Sequence, residues 1–131
     1  MSVTYTYQET RNRLNTACAG DVRLVDVVNH FHFLSLDPGI RAGVDVLLDL
    51  TELTSSPDPE HYDTLLETMR RVTARRPFGR CAVVATRDST DAVARGFVDA
   101  AGQHFSQTHV FRDRSAATAW LDQTVSLQRP A

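Results

Sequence analysis

The residues best placed to do chemistry cluster in one stretch, "VDVLLDLTELTSSPDPE" (Val44 to Glu60). There an apolar run ends in an acid, then hydroxyl residues, then a helix-start signal. Asp49, Thr51, Ser55, Ser56 and Asp58 are the groups of interest, and they admit three uses: a phosphorylated loop, the lip of a ligand site, or a plain handover from strand to helix. Asp49 and Thr86 are expected at the C-terminal ends of adjacent parallel strands, where open α/β sheets bind ligands. "RDSTD" (Arg87 to Asp91) could set Ser89 or Thr90 beside an anion at a helix N-terminus. Capping of the helix accounts for the same residues.

Several chemistries are excluded by residue type. All fourteen basic residues are Arg, so no lysine is present for a Schiff base, a Walker-type phosphate loop or a receiver domain. There is no G-x-S-x-G elbow and no G-x-G-x-x-G turn. His30 and His32 flank Phe31 and on a helix point about 200° apart, so they cannot share a metal at that spacing. His61, His104 and His109 have no acid or thiol at a recognisable ligand spacing, so neither a metal nor a cofactor is expected. Cys18 and Cys81 lack CxxC spacing and read as free buried thiols in a reducing cytoplasm.

Arg70, Arg71, Arg75, Arg76 and Arg80 make the largest concentration of charge. A solvated helix end is the plain reading, and an acidic partner surface the alternative, because Arg forks match carboxylates and phosphates in pairs. Nucleic acid is not expected, since the net charge is −2 and no aromatics interleave the arginines. At 131 residues, with 42% apolar and 23% charged residues, the chain is expected to form one domain spanning residues 1–131. No window holds the roughly 18 apolar residues of a membrane helix, and "MSVTYTYQETRNR" has no secretory pattern. A cytoplasmic location is therefore expected.

The elements that must position these groups follow from periodicity. "VTYTY" and "RLNTACA" alternate as two antiparallel strands, the second with Leu14, Thr16 and Cys18 on one face. From Val22 to about Leu36, Leu24, Val27, Val28, Phe31 and Leu34 recur at helical spacing, while Asp26, Asn29, His30 and His32 fall among the polar positions. "VDVLLDL" (Val44 to Leu50) and "RCAVVAT" (Arg80 to Thr86) are apolar enough for central strands covered on both faces. Asp58, Pro59 and Glu60 start a helix whose buried stripe is Tyr62, Leu65, Leu66, Met69 and Val72. A third helix is assigned an inner face of Val93, Ala94, Phe97, Ala101 and His104. "THVFR" is the last strand, and the closing helix (Asp113 to Val125) is expected to dock through Ala116, Ala119 and Trp120. The order β-β-α-β-α-β-α-β-α gives an α/β fold, a mostly parallel five-stranded sheet with an N-terminal antiparallel hairpin and four helices.

On these features the chain resembles the SpoIIAA-like/STAS group, in particular its branch without an assigned role. The resemblance is carried by the opening hairpin, "GDVRLVDVVNHF", "DPGIRAGVDVLLDLTEL", "CAVVATRD", "ARGFVDAA" and "VFRDRSAATAWL", and covers nearly the whole chain. Antagonists in that group carry a phosphorylatable serine in an Asp-Ser-Ser/Thr-Gly signature. Here the matching loop reads "TSSPDPE", and the position nearest the acceptor falls at Asp58, which no kinase can modify. The resemblance implies a non-enzymatic regulatory or protein-interaction module, acting as a homodimer. A carrier of a small apolar ligand or lipid is the alternative, because related folds open a pocket between sheet and helices. "HFHFL" (His30 to Leu34) supplies two phenylalanines that cannot both face inward, and an exposed Phe33 would suit a pocket or a dimer seam.

Overall fold

In the structure, a computed structural model, residues 2–22, 24–54, 62–75 and 77–127 are described. The chain begins with β1 (Ser2–Gln8) and β2 (Arg13–Gly20), paired antiparallel with Tyr5 opposite Thr16. Val3, Tyr5 and Tyr7 lean on the core, whereas Thr4 and Thr6 are exposed. The alternation is the period of two that a half-buried strand requires. The turn between the strands is closed by Asn12, at φ +48°, a region that asparagine tolerates. Its side chain accepts a hydrogen bond from the Tyr7 hydroxyl at 2.7 Å.

Next come α1 (Leu24–Leu36), β3 (Val44–Leu53), α2 (Tyr62–Arg75) and β4 (Phe78–Val84). Then α3 (Asp88–Ala101), a short 3-10 turn, β5 (Thr108–Phe111) and α4 (Arg114–Leu127) complete the chain. The expected order is met. β3 runs three residues beyond the Leu50 expected from the sequence, because Glu52 and Leu53 find partners in Ala19 and Gly20 of β2.

The strands lie in the sheet in the order of the chain, β1-β2-β3-β4-β5, and all but the first pair are parallel. Each parallel crossover therefore steps in the same direction. Right-handed connections then place α1, α2 and α3 on one face. That face holds the main core: Leu14, Cys18, Val46, Val83, Leu34, Met69, Val72, Ala94 and Phe97 belong to one buried cluster. The stripe of α2 is borne out at Met69 and Val72, and that of α3 at Ala94, Phe97 and Ala101.

Among the described residues, α4 is the helix that covers the opposite face. Two of the expected docking positions of this helix are corrected: Ala116 and Ala119 are exposed, and Ala117 and Leu121 are buried against Leu47, Ala82 and Val84. Trp120 is half-buried, its ring 5.7 Å from that of Phe111. The seam sits one residue later than expected because α4 lies over β3 and β4, and small Ala117 lets it approach Ala82. Thr4, Thr6, Asn15 and Ala17, on the same face of β1 and β2, fall outside the cluster that α4 closes.

Beneath α4 lies a polar row. Asp45 faces Arg13 across the β2–β3 ladder, and its carboxylate holds Arg80. Arg13 also reaches Asp122 of α4 at 2.7 Å, and Arg80 Nη2 donates to the Leu121 carbonyl. Arg80 thus leaves the basic surface cluster in which its sequence context placed it: it is buried, 3% exposed.

Candidate functional site

The C-terminal ends of the strands form the first region to weigh. Asp49 pairs with Val84, the last residue of β4, and Thr86 follows two residues later, so the expected juxtaposition of strand ends is present. Asp49 Oδ1 accepts hydrogen bonds from the Thr51 amide at 2.9 Å and the Thr51 hydroxyl at 2.7 Å. Its other oxygen accepts from Arg114 Nη1 at 2.9 Å. The carboxylate is therefore engaged by its own strand and by the first residue of α4. Beside it lies a shallow hollow of about 170 Å³ lined by Thr4, Thr6, Asn15, Ala17, Asp49 and Arg114.

The rest of this rim is also tied to itself. The Thr86 side chain is exposed, and its carbonyl accepts from Arg112 Nη1. Arg112 also pairs with Asp88 at 3.1 Å and with Asp91 at 3.6 Å. Ser89 is exposed in the first turn of α3. The capping hydroxyl is that of Thr90, 2% exposed, which accepts from the Arg87 amide and donates to the Arg87 carbonyl. Arg87 in turn donates to the Leu53 carbonyl, joining β3 to the start of α3. Ser55, Ser56 and Asp58 lie outside the described residues, as does the signature loop they belong to.

The basic cluster disperses. Arg70 and Arg71 are exposed on α2 and both pair with Glu67, at 2.7 and 3.4 Å. The two guanidiniums hold the Glu67 carboxyl below its usual range. Arg75 ends α2, and its side chain and Arg76 lie outside the described residues. With Arg80 buried, what is described of this surface is a solvated helix face with its own counter-ion.

The second region runs along β1. Between the edge strand and α1 lies a groove of about 470 Å³, lined by Val3, Tyr5, Asn29, His30, Phe33 and Leu36, with Asp26 and Asp37 also on its walls. Phe33 is 62% exposed and Leu36 58%, the exposed large hydrophobics among the described residues. Phe33 thus stands where the spacing of "HFHFL" required one phenylalanine to stand.

His30 was expected among the polar positions of α1, and it is buried. Its Nε2 lies 3.3 Å from Thr16 Oγ1, and its ring meets Tyr5 edge-on at 5.4 Å. Burial pushes its pKa down to about 4. The available signal was its i,i+4 relation to Leu34, which puts both on the inward face. The Tyr5 hydroxyl donates to Asp37 at 3.3 Å, closing the floor of the groove toward the end of α1.

Among the described residues no group of three or more His, Cys, Asp or Glu side chains could hold a metal ion, and no helix is long and apolar enough to cross a membrane. The fold is SpoIIAA-like: an α/β five-stranded mixed sheet, antiparallel at β1–β2 and parallel thereafter, with four helices. Among solved structures, the chain is similar to an uncharacterized DUF3478-family protein with a SpoIIAA-like fold from Shewanella loihica PV-4. The TM-score is 0.60, with 18% identity over 92% of this chain and 93% of that one. No family model matches the sequence, and no curated protein matches it.

Proposed function

We propose that this chain is a non-enzymatic regulatory or protein-interaction module of the cytoplasm that works by surface contact and acts as a homodimer. The observation that carries this reading is the apolar groove beside β1, where Phe33 and Leu36 stand in water next to a sheet edge. Exposed apolar patches of this kind mark contact surfaces. The polar residues at the strand ends support it from the other side. Asp49, Asp88 and Asp91 are each engaged by arginines of the same rim, a pattern suited to a fixed surface.

The test is affinity capture from native cell extract with the wild-type chain and with Phe33→Asp. Protein captured by the wild type and lost in the variant supports the reading. Capture that Phe33→Asp leaves unchanged sinks this surface, and turnover of a substrate abolished by Asp49→Ala sinks the non-enzymatic reading.

A carrier of a small apolar ligand is the second reading, favoured by the groove volume of about 470 Å³, within the range of ligand pockets. Native mass spectrometry of protein purified from cells separates the two, since a carrier brings an apolar ligand with it.

A further inference from the structure

We infer that the occupant of the β1 seam is a second copy of this chain, paired antiparallel strand to strand about a two-fold axis at Tyr5. This deepens the interaction reading and rests on it.

The edge itself is the first argument. β1 is seven residues long, "SVTYTYQ", with no charge and no proline. Natural sheets protect such edges with short strands, charges, prolines or bulges. The opposite edge is protected in this way: β5 has four residues and is followed at once by Arg112 and Asp113. β1 has none of these devices and pairs with β2 in unbroken register.

The strand is also self-complementary. Antiparallel pairing centred on Tyr5 sets Thr4 opposite Thr6 of the other copy and Val3 opposite Tyr7. Cross-strand Thr–Thr and aromatic/β-branched pairs are among those that stabilise sheets. The two-fold axis stands perpendicular to the sheet, so both copies keep α1 on the same face.

Charge supplies the register. α1 runs in the direction of β1. Asp26 and Val3 therefore belong to one end of the groove and Asp37 to the other, with Arg41, which donates to the Tyr7 hydroxyl, beyond the lining on the Asp37 side. The two-fold operation reverses these ends, so Asp26 of each copy comes toward the end of the other that holds Arg41 together with Asp37, whose carboxylate already accepts from the Tyr5 hydroxyl. Phe33 and Leu36 of the two copies approach the same seam. Their burial adds what a strand pair alone lacks, since a stable interface buries about 1,200–2,000 Å² in total.

The experiment uses the full chain. Light scattering after size exclusion at tens of micromolar is expected to give twice the 14.6 kDa of one chain. Phe33→Asp, at an already exposed position, and Thr4→Lys/Thr6→Lys, which sets like charges opposite, each raise the dissociation constant at least tenfold. Their unfolding curves at concentrations where the wild type is monomeric stay unchanged. Asp26→Arg and Arg41→Asp each weaken the dimer, and combined they restore it. A Thr4→Cys chain mixed with a Thr6→Cys chain cross-links under mild oxidation, while neither does so alone. A monomeric wild type overturns the inference, as does a dimer indifferent to Phe33→Asp or a cross-link formed by either cysteine variant alone. If the wild type is monomeric but Phe33→Asp still abolishes capture of another protein, only the second-copy inference fails. If that capture is unchanged too, the interaction reading fails with it.

Discussion

Arg80 and Asp45 form a buried ion pair across β4 and β3, with Nη2 2.6 Å from Oδ2 and the Arg80 amide 2.9 Å from Oδ1. The carboxylate thus fixes both the side chain and the backbone of one residue. Removing one partner leaves a charge in a dry site, and such breaks cost about 3–5 kcal/mol. Asp45→Ala should lose that much in urea unfolding. Asp45→Leu/Arg80→Met should recover most of the loss, because well-packed apolar pairs replace buried ion pairs at little cost.

Gly79 makes room for that carboxylate. A Cβ there would lie 2.4 Å from Asp45 Oδ1 and 2.6 Å from the Gly43 carbonyl oxygen, part of it immovable backbone. Gly79→Ala should therefore cost roughly 1–3 kcal/mol as an overpacking change. Gly102→Ala is the control: nothing comes closer than 3.6 Å to its Cβ, so its change should stay under about 1 kcal/mol in the same unfolding assay.

His30 links stability to pH. Its pKa falls from 6.5 to about 4 on folding because burial disfavours the imidazolium. The unfolded chain then binds the proton more readily between those values, so stability rises with pH across that window. The contribution is complete above about pH 6.5, is lost as pH falls toward 4, and changes no further below it. A shift of this size is worth roughly 3 kcal/mol. The difference between wild type and His30→Gln, measured by urea unfolding from pH 7 to pH 4, isolates this group from Asp26 and Asp37 nearby. Parallel curves would refute the assignment.

The two thiols should be silent in the native state. Burial, with the charge of Asp49 second, raises the Cys18 pKa to about 11, and burial raises that of Cys81 further. Reaction with a thiol-specific chromogen should proceed only as fast as the chain unfolds, and should reach both cysteines at once in urea.

The fold was legible because its signals are local. Alternation wrote β1 and β2, apolar runs wrote β3 and β4, and helical spacing wrote the stripes of α2 and α3. Phe33 was legible for the same reason, since two phenylalanines at i and i+2 cannot share a helix face. What escaped reading depends on partners distant in sequence. Arg80 looks like one more arginine after an Arg-rich helix, and only the β3–β4 register sets it on Asp45. The docking face of α4 slipped by a residue because Ala116, Ala117 and Ala119 are alike in type, and the crossing over Ala82 chooses among them. Asp49 was legible as an acid at a strand end, but Arg114, 65 residues on, gave no sign of being its partner.

The monotonic strand order bears on how the chain is made. As it leaves the ribosome, every strand after the first meets its neighbour already synthesised and adds to the growing side, so no finished ladder must be prised open to admit a latecomer. Among the described residues the outer edges of β1 and β5 take no strand from this chain, and of the two it is β1, the first made, that keeps seven uncharged residues along its open side.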